Sequence, residues 1–200
     1  MTRFILIRHG NTDAVGKRLA GRTAGVHLNA QGKEQVQKLP ARLKGLSISA
    51  LYSSPLERAI ETAEPVAASL NLDIAINEDF VELDFGDWTN RTIDEVRNDP
   101  AFQRFNLFRS TARIPGGELM AEAQLRIVNG MQKLCAQHPG ETVAIVSHGD
   151  IIKAAVTYYA GIHLDLFQRI EISPASVSVI EVFDETARIL VVNDTGELIF

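Results

Sequence analysis

Two short stretches of this chain share a pattern that can do chemistry. Leu6-Ile7-Arg8-His9-Gly10 and Ile145-Val146-Ser147-His148-Gly149 each run from apolar residues straight into a histidine and a glycine. Short apolar runs that break off in this way read as strands buried on both faces, and in open α/β sheets ligand-binding groups gather at the carboxyl ends of strands. A lone histidine is most often structural, and His27, His138 and His163 are read so. His9 and His148 differ, because each closes a buried strand where local structure has no need of an imidazole. Arg8 and Arg58 add planar bidentate forks matched to phosphate oxygens. Gly10 and Gly149 let a ligand approach the backbone, and helix N-termini present free N–H groups. Together these groups make a pocket for a dianion. A neutral imidazole there can attack phosphorus without first losing a proton and form a labile phosphoimidazole, provided a carboxylic acid protonates the leaving alkoxide.

The elements that must position these groups alternate between strand and helix. After the strand Phe4–Ile7, residues 11 to 28 are polar and Gly-rich without a period, and so long a loop in a compact domain is usually functional. Asn29 can cap a helix over about 30 to 44 that Pro40 kinks and Gly45 stops. A strand near 48 to 52 leads through Ser53-Ser54-Pro55 into a helix reaching Leu70, bent at Pro65. Arg58 falls in the first turn of that helix and shares the sheet edge of His9 if the two strands are parallel neighbours. Residues 74 to 90 hold a short strand and then the acidic, aromatic loop Glu82-Leu83-Asp84-Phe85-Gly86-Asp87-Trp88. Weak helical pattern from 92 to 108 breaks at Pro100, and a turn over 113 to 118 precedes a long helix ending at His138-Pro139-Gly140. Beyond the strand Thr142–Val146 come a helix over about 150 to 160 and two alternating runs, 177 to 183 and 188 to 192, expected to form a hairpin closing one sheet edge. The expected class is α/β: a three-layer sandwich with a mostly parallel central sheet and helices on both faces.

A chain of 200 residues, 46% hydrophobic and 22% charged, suits one globular domain over 1–200. The net charge of -5 argues against nucleic acid or an anionic membrane as partner. The single cysteine, Cys135, excludes an intramolecular disulfide and reads as a small core residue. With no basic leader and no apolar run near the ~18 residues of a membrane span, the expected location is cytoplasmic.

The ordered series Leu6-Ile7-Arg8-His9-Gly10-Asn11-Thr12, Gly21-Arg22-Thr23, Leu28-Asn29-Ala30-Gln31-Gly32, Ser53-Ser54-Pro55-Leu56-Glu57-Arg58-Ala59, Glu82 with Phe85-Gly86-Asp87-Trp88, Pro115-Gly116-Gly117-Glu118 and Ser147-His148-Gly149 resembles the histidine phosphatase superfamily, also called the phosphoglycerate mutase-like family. The series spans most of the chain. The resemblance implies that His9 is the nucleophile that becomes phosphohistidine, and that Arg8, Arg58 and His148 clamp the phosphoryl oxygens. It implies that Glu82, rather than its rivals Asp84 and Asp87, protonates the leaving group and then helps to activate water. It places Arg22 and Thr23 in a loop over the substrate. Two departures touch the pocket: Asn11 replaces the Glu that often follows Arg-His-Gly and is a candidate for the phosphate contact, while Val15 stands where relatives have a phosphate-contacting Asn. Trp88 and Phe85 are read as packing that fixes Glu82, and Glu118 as helix N-terminal charge.

The expected activity is phosphomonoester hydrolysis through phospho-His9 on a small metabolite. Cationic side chains replace the charge stabilisation a magnesium ion would give, so no metal or cofactor is called for. The runner-up within the family is a cofactor-dependent phosphoglycerate mutase, whose members are typically longer and carry a Trp-Asn pair that this chain lacks. Two rivals of other classes are a mononuclear metal site on His9, His148 and Glu82, opposed by the two adjacent arginines, and a non-catalytic phosphate-binding module.

Overall fold

The computed structural model describes residues 1–196. Its strands are β1 (Thr2–Arg8), β2 (Ile48–Ser53), β3 (Ile74–Ile76), β4 (Thr142–Ser147), β5 (Val177–Val182) and β6 (Ala187–Asp194). They form one sheet in the order β3-β2-β4-β1-β5-β6. The first four in that order are mutually parallel, and β5 and β6 are antiparallel to their neighbours. The helices are α1 (Ala30–Gln37), α2 (Leu39–Arg42), α3 (Glu57–Leu70), α4 (Ile93–Val96), α5 (Pro100–Leu107), α6 (Met120–Gln137) and α7 (Gly149–Tyr159).

Phe4, Ile5, Leu6 and Ile7 are all 0% exposed, because β1 is covered on both faces. Its side chains alternate. Phe4 and Leu6 join one core with α6 and α7, whereas Ile5 and Ile7 join a second with α1, α2 and α3. Each such side chain adds about 1.5–3 kcal/mol relative to an exposed one, and β4 and β5 likewise send side chains into both cores. The expected α/β sandwich is the architecture observed.

Two local readings need correction. The helix expected over 30 to 44 is two helices, with α1 ending at Gln37 and Pro40 lying in the first turn of α2. Pro40 has no N–H to donate back along α1, and a first turn is where that loss is tolerated. The helix α3, by contrast, runs through Pro65 without interruption. Strands β1 and β2 are parallel but not neighbours, since β4 lies between them and supplies the buried centre of the sheet. The hairpin expected from the runs 177 to 183 and 188 to 192 is observed as β5 and β6, paired antiparallel at one edge of the sheet; β5, covered by β6, is buried along its length, while the edge strand β6 alternates.

The register positions the chemistry. Arg8 of β1 lies opposite Ser147 of β4, so the next residue of each strand, His9 and His148, emerges side by side. Ser53 of β2 lies opposite Val146 of β4, which brings Ser54 and the start of α3 to the same edge. The loop after β1 is held against α1 at a close approach: a Cβ at Gly32 would sit 2.0 Å from the Asn11 carbonyl oxygen. Asn29 caps α1 as expected, its side chain accepting from the Gly32 N–H at 2.9 Å.

Candidate active site

At the carboxyl edge of the parallel strands lies a cavity of about 180 Å³, with Arg8, His9, Arg58 and Glu82 in its wall. His9 is 4% exposed. Its Nδ1 lies 2.7 Å from the Gly10 carbonyl oxygen, an acceptor, so we assign the ring proton to Nδ1. Nε2 then keeps its lone pair, and Arg58 Nε donates to it at 3.3 Å. Burial holds the His9 pKa well below the ordinary value, and the charges of Arg58 and Arg8 lower it further. The imidazole is therefore neutral, as a nitrogen nucleophile must be.

His148 is 0% exposed, its ring 5.1 Å from that of His9. Its Nε2 meets the Ser54 Oγ at 2.7 Å, and that hydroxyl already accepts from Leu56 N–H. We assign the Ser54 hydroxyl proton to Nε2, which makes His148 Nδ1 the N–H donor. Burial, with the Arg58 charge after it, holds this imidazole neutral as well.

Arg58 is 2% exposed in the first turn of α3. Its Nη2 donates to the Gly21 carbonyl at 2.8 Å, while Arg8 Nη1 donates to the Ile172 carbonyl. Both guanidiniums are thus fixed by backbone oxygens. Among the described residues Arg8 Nε, Arg58 Nη1 and His148 Nδ1 are all buried and have no protein partner. Arg8 and Arg58 share the cavity wall with His9, and three buried donors left unsatisfied would each be costly unless a ligand accepts from them. A tetrahedral oxyanion supplies the acceptors.

Glu82 follows the buried Phe80 and Val81, and only 12% of its side chain is exposed. Its Oε2 lies 3.8 Å from His148 Nδ1. Burial and the nearby Asp150 carboxylate raise its pKa to about 7, against the lowering effect of Arg58. The rival carboxylates are placed elsewhere: Asp84 Oδ1 accepts from Gly86 N–H at 2.9 Å, and Asp87 is exposed beside Gly116.

A hub of charge holds this segment. Arg126 of α6 donates to the Val81 and Asp79 carbonyls at 2.8 and 3.1 Å and pairs with Glu118 at 3.2 Å. Glu118 also accepts from Asp84 N–H at 3.0 Å and pairs with Arg22 at 2.8 Å. Glu118 precedes the first residue of α6 by two positions, so its role is this hub rather than the helix end.

Asn11, Arg22 and Thr23 do not line the cavity. Asn11 Nδ2 donates to Gln31 Oε1, and Arg22, captured by Glu118, donates from Nε to the Glu82 carbonyl at 2.9 Å. Thr23 is half-buried, with no partner for Oγ1. Arg22 therefore touches the main chain of Glu82 and holds the acid segment. Trp88 packs against Phe102 and Phe105 and donates from Nε1 to Asp99 at 3.1 Å, the structural role expected of it. Wall residues that sequence reasoning passed over are Thr12, Arg18, Asp150 and Lys153. The last two follow Ser147-His148-Gly149 at helical spacing, a signal that was present in the sequence. Among the described residues no group of three His, Cys, Asp or Glu is arranged to hold a metal ion, and no helix is long and apolar enough to cross a membrane.

Residues 4–195 match the sequence profile of the histidine phosphatase superfamily (branch 1). The chain is 33% identical over 200 residues to the bifunctional protein Rv2228c of Mycobacterium tuberculosis, covering 98% of this chain and 55% of that protein. It thus spans about half the length of that relative. It is 29% identical over 203 residues to phosphoserine phosphatase 1 of Hydrogenobacter thermophilus, covering 99% of this chain and 95% of the relative. Among solved structures it is similar to YhfR of Bacillus stearothermophilus, with a TM-score of 0.90, 32% identity, and 97% and 98% of the two chains covered.

Proposed function

The chain belongs to the histidine phosphatase superfamily, and from that premise we propose that it is a phosphatase that hydrolyses small phosphomonoesters through a phosphohistidine at His9 Nε2. The observation that carries this reading is that Arg8 Nε, Arg58 Nη1 and His148 Nδ1 are buried without protein partners, with Arg8 and Arg58 in the cavity wall beside a neutral His9 and the His148 ring 5.1 Å from that of His9. The three donors hold the phosphoryl oxygens. The Nε2 lone pair forms the P–N bond as the ester P–O bond breaks, and Glu82 gives its proton to the leaving oxygen. Water then attacks phosphorus, the P–N bond breaks back to the imidazole, and the Glu82 carboxylate takes the proton that water loses. Arg8 and Arg58 stabilise the charge on the equatorial oxygens in both steps.

The test is quenched-flow mixing of the protein, in chelator, with a phosphorus-labelled ester, followed by assay for acid-labile, base-stable label. Label that forms and decays at the rate of turnover is expected. Activity that chelator abolishes would favour the metal-site rival, and label that passes to an alcohol acceptor in preference to water would favour the mutase.

The acid has its own signature. Glu82→Gln should slow single-turnover cleavage of an alkyl phosphate by about 10²–10⁴-fold while slowing p-nitrophenyl phosphate far less, since nitrophenolate leaves without a proton. Because the Glu82 pKa is raised to about 7, the wild-type rate on the alkyl ester should be level below that pH and fall tenfold per unit above it. An ordinary carboxyl would already be ionised near pH 5. Equal losses on both esters, or a level rate through pH 8, would remove Glu82 from the acid role.

A further inference from the structure

The main-chain groups of residues 9 to 11 are all partnered, and two of the partners are side chains outside the cavity wall. The His9 N–H donates to the Ser147 carbonyl at 2.9 Å, the His9 carbonyl accepts from Ala175 N–H at 3.2 Å, and the Asn11 carbonyl accepts from Asn29 N–H at 3.1 Å. The Gly10 carbonyl accepts from His9 Nδ1 at 2.7 Å. The other two N–H groups turn to side chains: that of Gly10 donates to Thr62 Oγ1 of α3 at 3.0 Å, and that of Asn11 to Gln35 Oε1 of α1 at 2.9 Å. Thr62 is 0% exposed and gives its own proton to the Arg58 carbonyl at 2.7 Å, so its oxygen is left to accept.

Both bonds bear on the nucleophile through the peptides beside Gly10. The Gly10 carbonyl and the Asn11 N–H share one planar trans peptide and point in opposite directions, so a partner that fixes the N–H also aims the carbonyl. Gly10 is where such fixing is needed. A Cβ there would lie 2.8 Å from Val36 Cγ1 and 2.9 Å from the Gly32 carbonyl oxygen, so the approach of α1 demands a glycine, and a glycine leaves the peptides on either side free to rotate. Thr62 holds the first of them and Gln35 the second. The aim of the carbonyl matters because it decides which ring nitrogen of His9 carries the proton. With Nδ1–H bound to the carbonyl, Nε2 has the lone pair that attack on phosphorus needs; with the proton on Nε2, the form such a side chain favours in water, that lone pair is gone. Arg58 Nε, donating to Nε2 at 3.3 Å, favours the same form from the other side.

We infer that Gln35 and Thr62 are positioning residues for the nucleophile, a brace from α1 and α3 that aims the Gly10 carbonyl and so keeps the His9 proton on Nδ1. Its effect on rate rests on the phosphohistidine reading above, and its effect on the ring stands on the hydrogen bonds alone. Neither side chain is in the cavity wall, so the brace acts without contributing to oxyanion binding.

The test sets Gln35→Leu and Thr62→Val, which remove the accepting oxygens, beside Gln35→Glu and Thr62→Ser, which keep them. In protein carrying ¹⁵N-labelled histidine, the His9 signals are those absent from His9→Ala. At neutral pH they should show the proton on Nδ1 in the wild type and a share of it on Nε2 in Gln35→Leu and Thr62→Val. Formation of labelled phosphoenzyme in a single turnover should slow by about 10- to 100-fold in those two variants, as a slight misplacement of a reacting group does, while vanadate binding stays within about threefold of wild type. The conservative variants should recover both the ring form and the rate. A loss of rate matched by a loss of vanadate binding, or one that Gln35→Glu does not recover, would overturn the proposal and reduce the two residues to packing. So would a His9 proton that stays on Nδ1 in Gln35→Leu. If Thr62→Val does not fold, the variants of the half-buried Gln35 decide alone. A wild type that forms no phosphoenzyme would overturn the phosphohistidine reading, and the ring proton, read without substrate, would still decide the brace.

Discussion

His9→Ala is expected to form no acid-labile phosphoenzyme and to lose turnover by about 10⁴-fold or more, the scale seen when a covalent nucleophile is removed. The substitution is structurally mild. The backbone N–H of residue 9 keeps its bond to the Ser147 carbonyl at 2.9 Å, and β1 keeps its register with β4. Arg8 Nε, Arg58 Nη1 and His148 Nδ1 also remain as donors. Inorganic phosphate or vanadate should therefore still bind within about tenfold of wild type, since only one of several contacts is lost. Loss of turnover with retained oxyanion binding separates a missing nucleophile from a collapsed pocket. Residual hydrolysis at a few per cent of wild type, with label still trapped, would mean that a different residue is phosphorylated.

Arg58→Ala comes second in size. The side chain is buried, donates to His9 Nε2 and to the Gly21 carbonyl, and keeps Nη1 for the substrate. Removing one preorganised donor to developing charge costs about 10²–10³ in rate, roughly 3–4 kcal/mol. The pH profile should move as well. The Arg58 charge is one of the causes that lower the His9 pKa, so its loss raises that pKa towards the ordinary histidine range. More of the nucleophile is then protonated as the pH falls, and the deficit should be larger at pH 5.5 than at pH 7.5. Arg58→Lys should recover charge but not the planar fork, and so restore the pH profile better than the rate. Kinetics within threefold of wild type would place Arg58 outside the phosphoryl site.

The groups that do chemistry were legible because each sits where an apolar run stops, and an apolar run has a readable end. Arg8, His9 and His148 are fixed by strand register, and Arg58 by the first turn of a helix that follows a strand. The groups that surround them were less legible because their places depend on approaches between distant segments. Nothing near Arg22 in sequence indicates that Glu118 will hold it against the Glu82 carbonyl, and nothing near Asn11 indicates that Gln31 will take its amide. The insertion of β4 between β1 and β2 is of the same kind, since strand order is decided by crossover packing rather than by any one strand. Pro40 marks a disturbance of helix geometry in the sequence, and the chain resolves it by starting a new helix rather than by bending the old one.

The nucleophile and the acid are anchored by different kinds of bond. His9 and His148 continue two central strands held by a backbone hydrogen-bond ladder, whereas Glu82 lies in an irregular segment tied by the side chains of Arg22, Arg126 and Glu118. Segments of the second kind open at lower free energy than the core. In rising urea the two halves of the chemistry therefore separate, and the protein passes through a condition in which it still accepts phosphoryl groups from activated esters after it has lost the ability to cleave alkyl ones.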